Sequence, residues 1–327
     1  MSRVSRHRST SSALFAIAAL MVTGPTAVAQ LASTPDQGRI IVEQTERDAL
    51  DRPVLTPPRA EDFLTGDGDL LLLEKFDLFY LRTDSELIAT SNATLSDDAN
   101  ADLYLVQEFV GGWRTVLDEK VAVYAETGFN VRLYVDNDEL NSTVAFFRTG
   151  ASTRVGPNDD FIIGGDVAID LIRDDFFNDD INDQVTLDAY VAKPIILEGG
   201  AVTFTPRGTG LVVFGDVSDF NKIEGIVGSD FAYRFFGEDV PEAIRDRLLI
   251  VASVDGFGRY YFDFFEEFTG ETRFDFGVRG GTGLRYFFND RIAARTEVSL
   301  TYQTSTVDAL DYFEAAASAG VWLEYRF

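Results

Sequence analysis

Chemistry in this chain rests almost wholly on carboxylates and guanidinium groups. Cysteine is absent, and the one histidine, His7, lies in an N-terminal leader. Thiol nucleophiles, Cys-ligated zinc and every mechanism that needs an imidazole base are thereby excluded for the mature chain. What remains is 54 Asp and Glu against 28 Lys and Arg. Carboxylate pairs such as Asp255 with Asp263 could exchange protons in principle, but at this density pairs arise by chance. A nucleophile without a base is inert, so no enzyme is expected. The segment Arg173 to Asp183 carries Asp174, Asp175, Asp179, Asp180 and Asp183. Hard oxygen ligands so crowded suit a weak Ca2+ site, although the glycine turn and closing glutamate of an EF-hand order are missing. No other cofactor is expected.

The formal net charge is −26 at pH 7. Such a surface repels phosphate backbones, so nucleic acid is excluded as a partner. The chain is nevertheless no acidic disordered tail: 46% of it is hydrophobic, with 28 Phe and 12 Tyr that must be buried in something.

Residues 1–29 open with Arg3, Arg6 and Arg8, continue through an apolar run from Ala13 to Val22, and reach Ala27-Val28-Ala29. Basic start, short apolar centre and small-residue cleavage site define a Sec-type signal peptide, so the mature protein leaves the cytoplasm. Residues 30–69 hold Pro35, Pro53, Pro57 and Pro58 without a sustained period, and read as a periplasmic linker or arm.

From about residue 70 the texture changes to segments of alternating polarity separated by Gly, Asn and Asp clusters, which is a strand pattern. In the last segment Phe313, Ala315, Ala317, Ala319, Val321, Leu323, Tyr325 and Phe327 share one face. Glu314, Ser318, Trp322, Glu324 and Arg326 share the other. The segment before it sets Val298, Leu300 and Tyr302 against Arg295, Glu297, Ser299 and Gln303. Continuing the count predicts twelve strands: 76–95, 102–116, 120–135, 142–155, 160–174, 184–197, 201–217, 222–236, 246–264, 271–288, 291–304 and 312–327. Short turns alternate with acidic loops, and both ends of the segment fall on the turn side, as in a membrane barrel. Two joints depart from this alternation: 237–245 should be short and 218–221 should be long. A count of ten or fourteen therefore stays open.

A soluble sandwich or barrel also alternates, with its apolar face turned inward. Three features favour the inverted arrangement, with apolar faces against lipid. No segment from 70 onward is apolar and long enough for a spanning helix. The strands exceed the five or six residues usual in soluble sheets. Aromatic residues gather near strand ends, as in Tyr260-Tyr261-Phe262, Phe235-Phe236 and Tyr286-Phe287-Phe288, where an interfacial girdle lies, with Tyr104 and Trp113 bracketing the second strand. The fold class predicted is all-β, a single antiparallel transmembrane β-barrel over 70–327.

The chain ends Val321-Trp322-Leu323-Glu324-Tyr325-Arg326-Phe327. This resembles the C-terminal strand of Gram-negative outer-membrane β-barrel proteins of the porin-like kind, which typically ends in Phe with apolar residues at alternate positions before it. The resemblance implies a bacterial outer-membrane location, outer-membrane lipid and lipopolysaccharide as surroundings, and recognition of Leu323, Tyr325 and Phe327 by the barrel-assembly machinery. Ser91-Asn92-Ala93-Thr94-Leu95 resembles first hairpins of barrels from polysaccharide-export loci, which implies a polymer-export pore as one alternative.

With apolar faces outward, the opposite faces line the interior with Arg207, Arg259, Arg273, Arg279, Arg285 and Arg295 against Asp255, Asp275, Glu297 and Glu324. Such a wall makes a narrow channel for passive passage of small hydrophilic solutes. Alternatively the opposite charges pair across strands and close the barrel, leaving a structural or surface-interaction role. Arg279, Arg285 and Arg295 are expected to be held by Asp275 and Glu297 or by one another across water. Solute identity and oligomeric state are not written in the sequence.

Overall fold

A computed structural model describes residues 79–327 apart from 96–99, 118–120, 157–160, 175–179, 198–201, 218–220, 236–239, 242, 246, 263–271, 290 and 308–309. The leader and the arm lie outside the described residues. Alternating polarity cannot form a helix with one apolar face, and these β-branched and aromatic stretches settle as strands. They are β1 (Phe79–Thr90), β2 (Asp102–Leu117), β3 (Val121–Tyr134), β4 (Ser142–Val155), β5 (Phe161–Asp174), β6 (Asp180–Ala192), β7 (Ile195–Leu197), β8 (Val202–Gly215), β9 (Lys222–Arg234), β10 (Leu248–Tyr261), β11 (Phe274–Asn289), β12 (Ile292–Ser305) and β13 (Tyr312–Arg326).

Each strand pairs antiparallel with its neighbour, β1 pairs with β13, and β6 pairs with β8, so the sheet closes on itself. Closure pairs both edges of the twelve wall strands, the condition for a sheet in hydrocarbon. Twelve strands make the wall, and β7 is a short continuation after Lys193-Pro194. Proline has no N–H to give the ladder, so the predicted strand 184–197 is interrupted there. It also starts earlier, at Asp180. The wall strands run to 12–16 residues, against about 9–11 needed to cross a bilayer at about 45° tilt.

Connections alternate between two ends, termed here the turn end, where β1 begins and β13 finishes, and the loop end. At the turn after β4, Gly156 adopts φ 105°, a backbone that favours glycine. The two irregular joints are real: 235–247 is a long connection at the turn end and 216–221 a short one at the loop end. They do not change the count of twelve. Joint length reflects what each end must cover and is independent of strand pairing.

The outer face is the apolar one. Leu300 and Val321 are 52% and 51% exposed, and Val227, Phe276, Phe313 and Leu81 stand out likewise. The buried residues on the wall belong instead to the polar face, from Asp84 and Asp166 to Gln303 and Glu324. Tyr286 with Phe288 and Tyr325 with Phe327 form edge-on ring pairs on outer faces at the turn end. Two aromatics depart from the predicted girdle. Tyr104 shares parity with Glu108 and points inward, where it stacks on Tyr134 at 4.5 Å. Tyr261 likewise is buried inside.

Candidate functional site: the barrel interior

Because side chains alternate, one residue type per strand position decides what reaches the interior. On β8 to β11 that face holds a chain of charges. Arg207 Nε donates to Asp230 at 2.8 Å, and its Nη2 donates to Asp255 at 2.7 Å. Arg279 Nη2 reaches the other oxygen of Asp255 at 3.1 Å. Asp255 thus serves two guanidinium groups, which suits its burial: a carboxylate away from water must be paired.

Nearer the loop end lies a second, deeper knot. Glu224 forms ion pairs with Lys222 at 3.3 Å and with Arg259 at 3.0 Å. Arg259 also donates to Gln303, 2.9 Å away. Arg273 grips Asp275 with two nitrogens and stacks its guanidinium 4.0 Å above the Tyr261 ring. Ser305 and Gln303 donate to the same carboxylate. Asp275 and Gln303 are 0% exposed. Leu310 packs on Tyr261 over this knot, and its carbonyl accepts from Gln303 at 3.1 Å. Near the loop ends of β1 to β3, Ala93 and Leu140 pack on Tyr134, and Asp102 accepts from the Asn137 side chain at 2.7 Å.

The seam between first and last strands carries a third set. Arg295 on β12 reaches Asp84 at 2.9 Å and also Glu86, both on β1. Arg82 pairs with Glu108 at 3.1 Å, and Tyr80 donates to Glu126. On β3 to β6 the Tyr124 hydroxyl donates to Asp166 at 2.7 Å. Asp166 faces Asp188 directly in register, and Gln184 donates to Asp170 at 3.0 Å.

Glycines set how far these groups project. Gly228 faces inward beside Asp255, where a Cβ would strike the Asp255 carboxylate. At Gly164 a Cβ would lie 2.6 Å from the Tyr190 ring, and at Gly281 it would lie 3.0 Å from Oε1 of Glu297. Neighbouring side chains therefore lie along the wall, in the slots that glycines leave. Midway along β11 to β13 the inner face carries a patch of small residues, Gly281, Gly283, Ser299, Ser318 and Gly320, beside the exposed Glu297.

All ten predicted interior residues fall on the polar face, but they are held differently from the arrangement expected. Asp275 pairs with Arg273, and Arg279 with Asp255; Arg295 reaches Asp84 and Glu86 on β1. The reason is register: Arg279 stands opposite Asp255 across β10 and β11. Arg285 stands opposite Arg295. Glu324 is buried. Leu323, Tyr325 and Phe327 point outward and are exposed.

Of the proposed Ca2+ ligands, Asp175 and Asp179 lie outside the described residues, as does the side chain of Asp180. Asp183 accepts from Arg173 at 2.5 Å. No cluster of three or more metal-ligating residues occurs among the described residues. Sequence reasoning missed Asp84, Glu86, Lys222 and Glu224. Parity on β1 and β9 was the available signal for their face, but not for their partners.

No family model and no curated relative matches the chain. Among solved structures it is similar to the β domain of the Bordetella autotransporter BrkA, at 12% identity over 77% of this chain and 100% of that one, with TM-score 0.44. It is similar also to an outer membrane channel from Pseudomonas putida F1, at 8% identity over 76% and 96%, TM-score 0.48. A third is the KdgM porin in complex with disordered oligogalacturonate, at 10% identity over 75% and 99%, TM-score 0.39.

Proposed function

We propose that this is an outer-membrane barrel forming a narrow channel for passive passage of small hydrophilic solutes. The observation that carries the reading is the tangential lie of the interior side chains. Asp255, Tyr190 and Glu297 lie against glycines along the wall, and a patch of small residues midway along β11–β13 leaves Glu297 exposed. A barrel of about eight strands is filled by its own side chains, whereas sixteen enclose an aqueous channel. At twelve, flattened side chains favour an opening. The outer face, apolar around the whole ring, suits outer-membrane lipid and lipopolysaccharide, reached after removal of a signal peptide and assembly through the terminal strand.

Planar-bilayer recording of the refolded mature barrel tests this. Reproducible single-channel steps are expected. Silence from correctly folded protein sinks the channel and supports the second reading, a closed barrel with a structural or surface-interaction role. That reading draws on the loop-end knot, where Arg273, Asp275 and Gln303 are buried beside Tyr261 and Leu310.

A further inference from the structure

Arg132 differs from most interior arginines. It lies half-buried on the inner face of β3, between Asn130 and Tyr134, near the loop end of the strand. Its counterparts meet carboxylates: Arg82 pairs with Glu108, Arg207 with Asp230 and Asp255, and Arg295 with Asp84 and Glu86, while Arg148 faces Glu126 in register. Among the described residues no hydrogen bond or ion pair holds the Arg132 guanidinium, and its Nε is a buried donor without an acceptor. Register gives the reason. Arg132 stands opposite Val106 on β2 and Ser142 on β4. Val106 is in turn opposite Glu86, so an apolar side chain lies in the row between Arg132 and that carboxylate. Arg295 reaches the same carboxylate from the other side, past a glycine.

Two phenols share the position. Tyr104 and Tyr134 stack inside the barrel with ring centroids 4.5 Å apart, and Arg132 lies close enough to act electrostatically on both hydroxyls. Neither hydroxyl makes a hydrogen bond to a described residue. One guanidinium and two O–H donors thus lie together without a protein acceptor. The carboxylates around them are engaged elsewhere. Glu86 and Glu314 lie near the Tyr104 hydroxyl, and Asp102 near that of Tyr134. Glu86 pairs with Arg295, Glu314 accepts from Thr90 at 2.7 Å, and Asp102 accepts from Asn137.

A desolvated guanidinium without an acceptor is costly. A carboxylate carried by a solute removes that cost and accepts in the planar, two-pronged geometry that a guanidinium favours. The phenols add neutral donors. The three flanking acids limit the charge, because their repulsion grows with each negative charge brought in. We propose that Arg132, Tyr104 and Tyr134 form a binding subsite for the carboxylate of a small monocarboxylate solute. This deepens the channel reading by naming a solute class, whereas the subsite itself stands without a channel.

The test uses the full mature barrel refolded in detergent micelles, with acetate as probe and saturation-transfer NMR at constant ionic strength as the measure of binding. Transfer from protein to acetate is expected. Arg132→Gln should raise the half-saturating concentration about tenfold, as for the loss of a charged hydrogen-bonding group. Tyr104→Phe combined with Tyr134→Phe removes only the hydroxyls and should raise it about threefold or more. That pair decides the matter if Arg132→Gln fails to fold. Arg291, stacked on the outward Tyr325 ring at the turn end, supplies the control: Arg291→Gln removes the same charge from the outer side and should change nothing. Propionate should displace acetate at a similar concentration, and the dianion sulfate only at concentrations about tenfold higher.

Absence of transfer, parent-like binding by the folded variants, equal weakening by Arg291→Gln, or sulfate competing as well as propionate overturns the proposal. Silent bilayers with transfer intact would sink the channel and leave the subsite. Conducting barrels without transfer would do the reverse.

Discussion

Arg295 on β12 makes its ion pair with Glu86 of β1, two strands away, by passing over Gly320 of β13. Gly320 is the register partner of both residues. A Cβ there would lie 3.2 Å from the Glu86 Cβ, so a larger residue would crowd the crossing. Because β1 and β13 are the first and last strands, the pair spans the joint that closes the barrel. It links residues 209 positions apart, a contact the chain can form only after the intervening strands are in place.

Removing the guanidinium should therefore cost more than a surface pair would. Arg295→Ala leaves Asp84 and Glu86 as neighbouring, largely buried carboxylates, and a loss of about 3 kcal/mol is expected. Adding Asp84→Asn and Glu86→Gln should recover most of it, because the stranded charge causes the loss. Urea unfolding of the refolded barrel in bilayers measures both. A loss within about 0.5 kcal/mol, the range of an ordinary surface change, would show that the seam does not depend on this contact.

Gly228→Ala offers a test of the glycine slots. The new methyl meets the Asp255 carboxylate and lies 2.5 Å from the Val254 carbonyl oxygen. Asp255 must move away from Arg207 and Arg279, and a loss of about 1–3 kcal/mol is expected, as for an overpacked interior. Gly225→Ala on the same strand is the control. Its Cβ points into open space outside the barrel, so it should unfold near the parent midpoint. Equal midpoints for the two variants would remove the argument that glycines hold the wall flat.

The strands were legible because parity alone decides which face is apolar, and on β12 and β13 it does so over most of their length. Parity also suffices for Tyr104, whose even number on β2 places it with Glu108 and Arg114 rather than in an outer girdle. Partnerships are another matter. They depend on which rows meet across strands, and a shift of one residue changes every pair. Asp275 looks as available to Arg279 as Asp255 does, yet only Asp255 faces it. Arg295 and Glu86 were further from reach, since nothing local marks Gly320 as the gap between them. The strand predicted over 184–197 ran through Pro194, whose lack of an N–H ends β6 at Ala192.

Phe327 is exposed at the end of the seam strand, and its N–H donates to the Phe79 carbonyl at 3.0 Å. Its ring makes few interior contacts that would stabilise the finished barrel. Phe327→Ser should therefore leave the urea midpoint of refolded protein nearly unchanged while lowering the amount assembled in outer membranes, if the terminal strand is read during assembly. Equal loss in both measurements would assign the ring a packing role, and equal recovery in both would dismiss the signal.

Lipid contact is the premise under all of this, and adjacent residues on one strand test it. Leu300 and Ser299 are neighbours on β12, as are Val321 and Gly320 on β13, but parity sends them to opposite faces. Leu300 and Val321 are exposed on the apolar side. Arginine placed there cannot keep its charge hydrated at the bilayer midplane, and Leu300→Arg or Val321→Arg should cost about 2–4 kcal/mol, less near the headgroups. Ser299→Arg and, on β13, Ser318→Arg put the same charge among Glu297 and Glu314, where paired or hydrated arrangements are at hand. Their cost should be far smaller. In detergent micelles that do not impose a fixed thickness, the outward variants should lose part of their penalty while the inward ones stay as they are. Equal sensitivity on both faces in a bilayer titration would turn the barrel inside out, with the carboxylates and arginines facing solvent and the apolar residues enclosed.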